Sequence, residues 1–157
     1  MSQAAVITVS DRSARGERAD ASGPIAVAAL RDAGFDCDDA LVVADGADSV
    51  EAALRAALAQ GIRLIITSGG TGVGPRDRTP EGTARVLTQQ LPGIAEELRR
   101  RATAEKPGGM LSRGLAGVAG SALIVNLPGS TAAVGSGIRV ILDVADHALA
   151  QLEGSDH

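Results

Sequence analysis

Residues 4–10 (AAVITVS) form an apolar, β-branched run, the pattern of a strand buried on both faces. A helix is predicted over 22–33, with Ser22 as N-cap, Pro24 in the first turn and Gly34 ending it. Residues 35–43 read as a second strand, weakened by three aspartates. Asp48 followed by Glu51 resembles a capping box, and Val50, Leu54 and Leu58 then recur on one helix face until Gly61. A third strand covers 63–67 (RLIIT) and runs directly into a glycine-rich loop. Thr79-Pro80-Glu81 has the cap, proline and acid of a helix start, and a further helix follows Pro92-Gly93 over 94–103. Residues 113–119 and 122–126 read as strands joined tightly at Gly120-Ser121. Ser130 or Thr131 then caps a last helix whose Val134, Ile138, Ile141, Leu142, Ala145 and Leu149 share a face.

Strands alternating with helices imply right-handed crossovers and an α/β fold, with a mostly parallel sheet between helix layers. The short Gly120 turn adds an antiparallel strand, so the sheet is expected to be mixed. Ligands of such folds gather at the carboxyl ends of the strands. Loops 10–20, 68–79 and 126–131 lie at that edge, joined by 44–48. With 157 residues and no linker or repeat, the chain reads as a single domain over 1–157.

Composition removes several classes of function. A net charge of −4 and a single aromatic, Phe35, argue against a nucleic-acid partner. No run approaches the roughly 18 apolar residues of a membrane span, and no secretion signal precedes the first strand. The lone Cys37 can form no internal disulfide, which fits a reducing cytoplasm. Two histidines, His147 and the C-terminal His157, make a Ser–His–Asp triad a poor fit. Basic residues are arginines apart from Lys106, and arginine suits planar recognition of phosphate and carboxylate.

The stretch 68–79 (SGGTGVGPRDRT) carries the strongest chemical signal. Gly69, Gly70 and Gly72 allow close backbone approach, and outward amides beside a helix N-terminus bind anions. The stretch lacks the lysine of a Walker A loop and the spacing of the dinucleotide fingerprint. A turn required only by chain geometry is the plainer alternative. Asp20, Asp45 and Asp77 all fall on ligand-edge loops; each alone could be turn chemistry, but together they are the hard oxygen donors that Mg²⁺ shares with substrate phosphates. Residues 126–130 (NLPGS) offer a second anion cradle or an ordinary strand–helix connection, Ser10 and Asp11 end the first strand, and Arg113 could hold phosphate or be solvated. A phospho-receiver domain is disfavoured because the third strand ends in Thr67-Ser68 and no lysine follows Lys106.

Residues 67–81 (TSGGTGVGPRDRTPE) resemble the signature of the molybdopterin adenylyltransferases of molybdenum cofactor biosynthesis, the MogA/MoaB group. The resemblance continues through Ser10-Asp11-Arg12, Gly16, 20–24 (DASGP), Asp45, Leu111-Ser112-Arg113 and 126–129 (NLPG), and so spans nearly the whole chain. It implies a three-layer α/β/α sandwich assembling as a homotrimer. It also implies Mg²⁺-dependent adenylylation of molybdopterin by ATP with release of pyrophosphate, followed by hand-over to a molybdenum-insertion protein. On this resemblance Asp45 and Asp77 handle the metal and nucleotide, and Asp20 is a further acid of the site. Ser10, Asp11, Ser68, Gly69, Gly70, Thr71, Gly72, Ser112, Asn126, Pro128, Gly129 and Ser130 match segments lining the nucleotide or pterin pocket. A non-catalytic molybdopterin-binding paralogue of the same fold is the alternative, since the group includes such members.

Overall fold

The computed structural model describes residues 2–155. Three strands form the parallel centre of its sheet: β1 (Gln3–Val9), β4 (Leu64–Ser68) and β7 (Ala122–Leu127). The region expected as one second strand is broken into β2 (Asp36–Cys37) and β3 (Leu41–Val43), which pair parallel with the beginning and end of β1. Between them Arg31 donates to the Cys37 carbonyl and to Asp39, so the aspartate-rich middle leaves the ladder. On the other side β6 (Ala116–Ala119) runs antiparallel to β7, as the Gly120 turn requires, and the two-residue β5 (Gln89–Gln90) extends that edge. The sheet is therefore mostly parallel and mixed.

Alternation along the central strands sends side chains into two apolar cores. Val6, Leu64, Ile66, Leu123 and Val125 pack with helices α2 (Ser22–Asp32), α5 (Pro92–Glu105) and α6 (Thr131–Leu152). Ile7, Val9, Ile65 and Ile124 pack on the opposite face with α3 (Ala47–Ala59) and with Val86, just beyond the short α4 (Thr79–Ala84). This is a three-layer α/β/α arrangement, and the middles of its central strands are apolar because both faces are covered. No helix among the described residues is long and apolar enough to cross a membrane.

Local departures from the sequence reading have identifiable causes. Asp48 does not cap α3: its side chain pairs with Arg85 at 2.7 Å, while Gly46 occupies the cap and Ser49 donates to the carbonyls of Ala44 and Gly46. Residues 11–14 of the expected polar loop form a one-turn helix, α1 (Asp11–Ala14), whose first turn is capped by Ser10. Thr79 lies inside α4 rather than capping it, because its hydroxyl donates to the Gly69 carbonyl. Strand β6 starts at Ala116 rather than 113, since Asn126 and Arg113 hold the preceding residues elsewhere. Ser130 caps α6 as expected, accepting from the Ala133 amide.

Asn126 is a buried pin rather than a ligand-facing residue. Its amide donates to the hydroxyls of Thr67 and Thr83, and its carbonyl oxygen accepts from the Leu115 amide. It thereby ties β4, α4 and the segment before β6 to β7. Asn126→Ala strands these groups without water, so it should cost about 2–4 kcal/mol in urea unfolding. A loss below about 0.5 kcal/mol would show that the pin carries little stability.

Candidate functional site

The carboxyl ends of β1, β4 and β7 open into one cleft of about 810 Å³, within the range of small-molecule sites. Its floor is Gly69, whose amide donates to the Leu127 carbonyl. Gly69 has φ of +103°, and a Cβ there would lie 2.2 Å from the Val9 carbonyl oxygen. Gly70 has φ of +69°, with its would-be Cβ 2.2 Å from the Thr79 hydroxyl. Both need a residue without a side chain. The turn is held by Thr79, which donates its hydroxyl to the Gly69 carbonyl and its amide to the Gly70 carbonyl. The amides of Gly70, Thr71 and Gly72 meet no acceptor within the described residues, and neither do those of Thr131 and Ala132 opening α6. Two sets of unsatisfied donors therefore border the same space, and the 22-residue helix adds its positive end.

Most residues singled out from the sequence converge there. Ser10, Asp20, Asp45, the 68–72 segment, Asp77, Ser112 and 128–130 all line the cleft. Asp11 and Asn126 do not. Asn126 lies beneath the floor, and Asp11 is turned toward Arg76, which grips its carboxylate through Nε (3.0 Å) and Nη2 (3.1 Å). Asp20 reaches the cleft, yet one of its oxygens accepts from the Thr8 hydroxyl and the other from the Gly23 amide, the helix-starting role open to it from sequence. Ser68 is buried, sharing a hydrogen bond with Ser22 and donating to the Pro128 carbonyl.

Asp45 and Asp77 are placed differently. Asp45 accepts the Asp11 amide on Oδ2 at 2.9 Å, and Asp77 accepts the Gly74 amide on Oδ2 at 2.9 Å. In each carboxylate Oδ1 accepts nothing within the described residues. Burial raises the Asp45 carboxyl above the ordinary aspartate value, and the charges of Asp11 and Asp77 push the same way against the Asp11 amide and Arg76. Asp11 is lowered, chiefly by its hydrogen bonds from Arg76. Among the described residues no group of three or more acidic, histidine or cysteine side chains is arranged to hold a metal. Two hard carboxylates suit Mg²⁺, which commonly takes one or two of them and completes its shell with water and phosphate oxygens.

The sequence reading missed one wall. The end of α5 and the 3₁₀ turn Pro107–Leu111 contribute Glu105, Lys106, Gly109 and Leu111, facing Arg18 on the loop before α2. Gly109 permits this wall, because a Cβ there would lie 2.4 Å from the Ala102 carbonyl carbon. The side chains of Arg18 and Lys106 have no partner among the described residues. No motif marks these positions; the lone lysine was the only available signal. Arg113 neither holds an open anion position nor is merely solvated: it pairs with Glu81 at 2.6 Å and donates to the carbonyls of Gly72 and Asp77, bracing the loop from behind.

Residues 5–147 match the family described as a probable molybdopterin binding domain. A molybdenum cofactor biosynthesis bifunctional protein of Synechococcus elongatus is 43% identical over 98% of this chain and 48% of its own length. The chain thus spans about half the length of that relative. A molybdopterin adenylyltransferase of Helicobacter pylori is 35% identical over 79% of this chain and 72% of its own. The solved structure of the molybdopterin biosynthesis Mog protein from Mycobacterium ulcerans superposes with a TM-score of 0.92 at 46% identity, covering 97% of this chain and 99% of that one.

The half-buried, unneutralised Asp45 carries a stability prediction. Its folded carboxyl is raised, so the charge opposes folding at neutral pH, and the penalty disappears as pH falls toward the unfolded aspartate value. Asp45→Asn keeps an acceptor for the Asp11 amide and removes the charge. The ligand-free variant should be more stable at pH 7 by a few tenths of a kcal/mol, roughly, after solvent screening. Thermal unfolding across pH should show that gain shrinking toward pH ~4. A gain that grew on acidification would contradict the assignment.

Proposed function

Since this chain belongs to the molybdopterin-binding family of molybdenum cofactor biosynthesis, we propose that it catalyses Mg²⁺-dependent transfer of the adenylyl group of ATP to molybdopterin. The observation that carries the reading is the meeting of two half-free carboxylates with two banks of unsatisfied amides in one cleft. That set of groups suits two polyanionic reactants held side by side.

In this reaction an oxygen of the pterin's terminal phosphate attacks the α-phosphorus of ATP. A new P–O bond forms, the bond to the β-phosphate bridging oxygen breaks, and pyrophosphate departs with the electron pair. No protein nucleophile is needed, so catalysis rests on alignment and charge stabilisation. The amides of Gly70, Thr71 and Gly72 and the N-terminus of α6 bind phosphoryl oxygens. Arg18 and Lys106, which line the same cleft without a partner among the described residues, supply further positive charge. Asp45 and Asp77 would hold Mg²⁺, which when bound neutralises phosphate charge and polarises the transferring group. Asp20 fixes the start of α2 and shapes the wall without a free oxygen. The family resemblance also supports a homotrimer and hand-over of the product to a molybdenum-insertion protein.

ATP, molybdopterin and Mg²⁺ incubated with the protein should yield pyrophosphate and adenylylated pterin in equal amounts. Asp45→Ala and Asp77→Ala should remain folded and lose about 10²-fold or more in turnover. A folded wild-type sample that binds molybdopterin but forms no product would instead identify a non-catalytic carrier. Wild-type rates in both variants would remove these acids from the mechanism.

A further inference from the structure

Asp45 occupies an irregular segment between β3 and α3, next to Gly46 at φ +128°. Nothing in regular secondary structure sets the direction of its carboxylate. A closed ring of hydrogen bonds does. The Asp11 amide donates to Asp45 Oδ2 at 2.9 Å, and the Asp45 amide donates back to Asp11 Oδ1 at 3.1 Å. Arg76 closes the ring, donating to both Asp11 oxygens and, through Nη2, to the Asp45 carbonyl at 2.9 Å.

Resting on the proposed metal-dependent reaction, we propose that Asp11 and Arg76 are positioning residues that hold Asp45 and Asp77 at a fixed separation to receive the divalent cation. Arg76 precedes Asp77 in the chain, so its side chain staples the loop carrying one acid to the segment carrying the other. The electrostatics point the same way. Asp11 still repels Asp45, but the guanidinium fork of Arg76 pairs with both Asp11 oxygens and offsets part of that repulsion, while Asp11 accepts the Asp45 amide. Asp45 Oδ2 is occupied and Oδ1 is left for the cation. Asp11 does not line the cleft, so it acts through Asp45 rather than on a ligand. Lysine can replace the charge of Arg76 but not its fork.

The test measures binding rather than turnover. ATP is titrated calorimetrically into the full chain without molybdopterin, at a series of Mg²⁺ concentrations and in EDTA. Wild type, Asp45→Asn, Arg76→Lys, Arg76→Ala and Asp11→Asn are compared. The Arg76 side chain is 63% exposed, so its variants should fold, and thermal unfolding checks this. Arg76→Lys, Arg76→Ala and Asp11→Asn should raise the Mg²⁺ concentration for half-maximal ATP binding by about 10–100-fold. Excess Mg²⁺ should restore their binding, and affinity in EDTA should match wild type. Wild-type Mg²⁺ dependence in Arg76→Lys would mean that charge alone matters and would overturn the positioning role. If Asp45→Asn loses Mg²⁺ dependence while all three ring variants keep it, the ring has no such role although the metal reading stands. If Asp45→Asn itself binds Mg-ATP like wild type, the metal reading fails first. Equal weakening in EDTA and Mg²⁺ would mark a general disturbance of the cleft and would also overturn the proposal.

Discussion

The close approach of three strand ends at Gly69 is the constraint on which the molecule's chemistry depends. Its amide is bound to the end of β7, the end of β1 leaves no room for a side chain on it, and its carbonyl is held by Thr79 at the start of α4. Parallel strands bring their carboxyl ends to one edge, but they do not by themselves make a binding surface. The left-handed turn at Gly69-Gly70 lifts the following amides off the ladder and leaves them without acceptors. Any side chain at Gly69 would collide with the Val9 carbonyl and push the loop away from β1.

The cleft stores unfavourable electrostatics in the free protein. A partly buried carboxylate lacks its own cation, a second lies close enough to raise it further, and several amides and two cations lack partners. These groups destabilise the empty state modestly and become useful when anions and a cation arrive together. The rest of the fold compensates: central strands apolar on both faces, a fully bonded Asn126 and the Arg113 brace leave no buried side-chain polar atom unsatisfied among the described residues.

The centre of this fold was legible because β1, β4 and β7 are continuous apolar runs, a pattern set by burial on both faces. The edges were not, since β2, β3 and β5 are two or three residues long and owe their existence to pairing partners distant in sequence. The glycine loop and the aspartates at strand ends were readable because topology alone assigns them to one edge. Arg113 and Arg76 were misjudged or passed over because their partners, Glu81, Asp11 and Asp45, lie 31 to 65 positions away. The wall at Lys106 was invisible for a similar reason: it depends on the packing of the 3₁₀ turn against α5 at Gly109, which leaves no periodic trace.

A crystal structure of the protein with Mg²⁺, molybdopterin and an ATP analogue that cannot be cleaved between the α- and β-phosphates is the most direct test of the central claim. The cation should touch Asp45 and Asp77, phosphoryl oxygens should sit on the amides of 70–72 and on the α6 N-terminus, and the pterin phosphate should face the α-phosphate. Nucleotide bound on another face, or a cation remote from both acids, would contradict it.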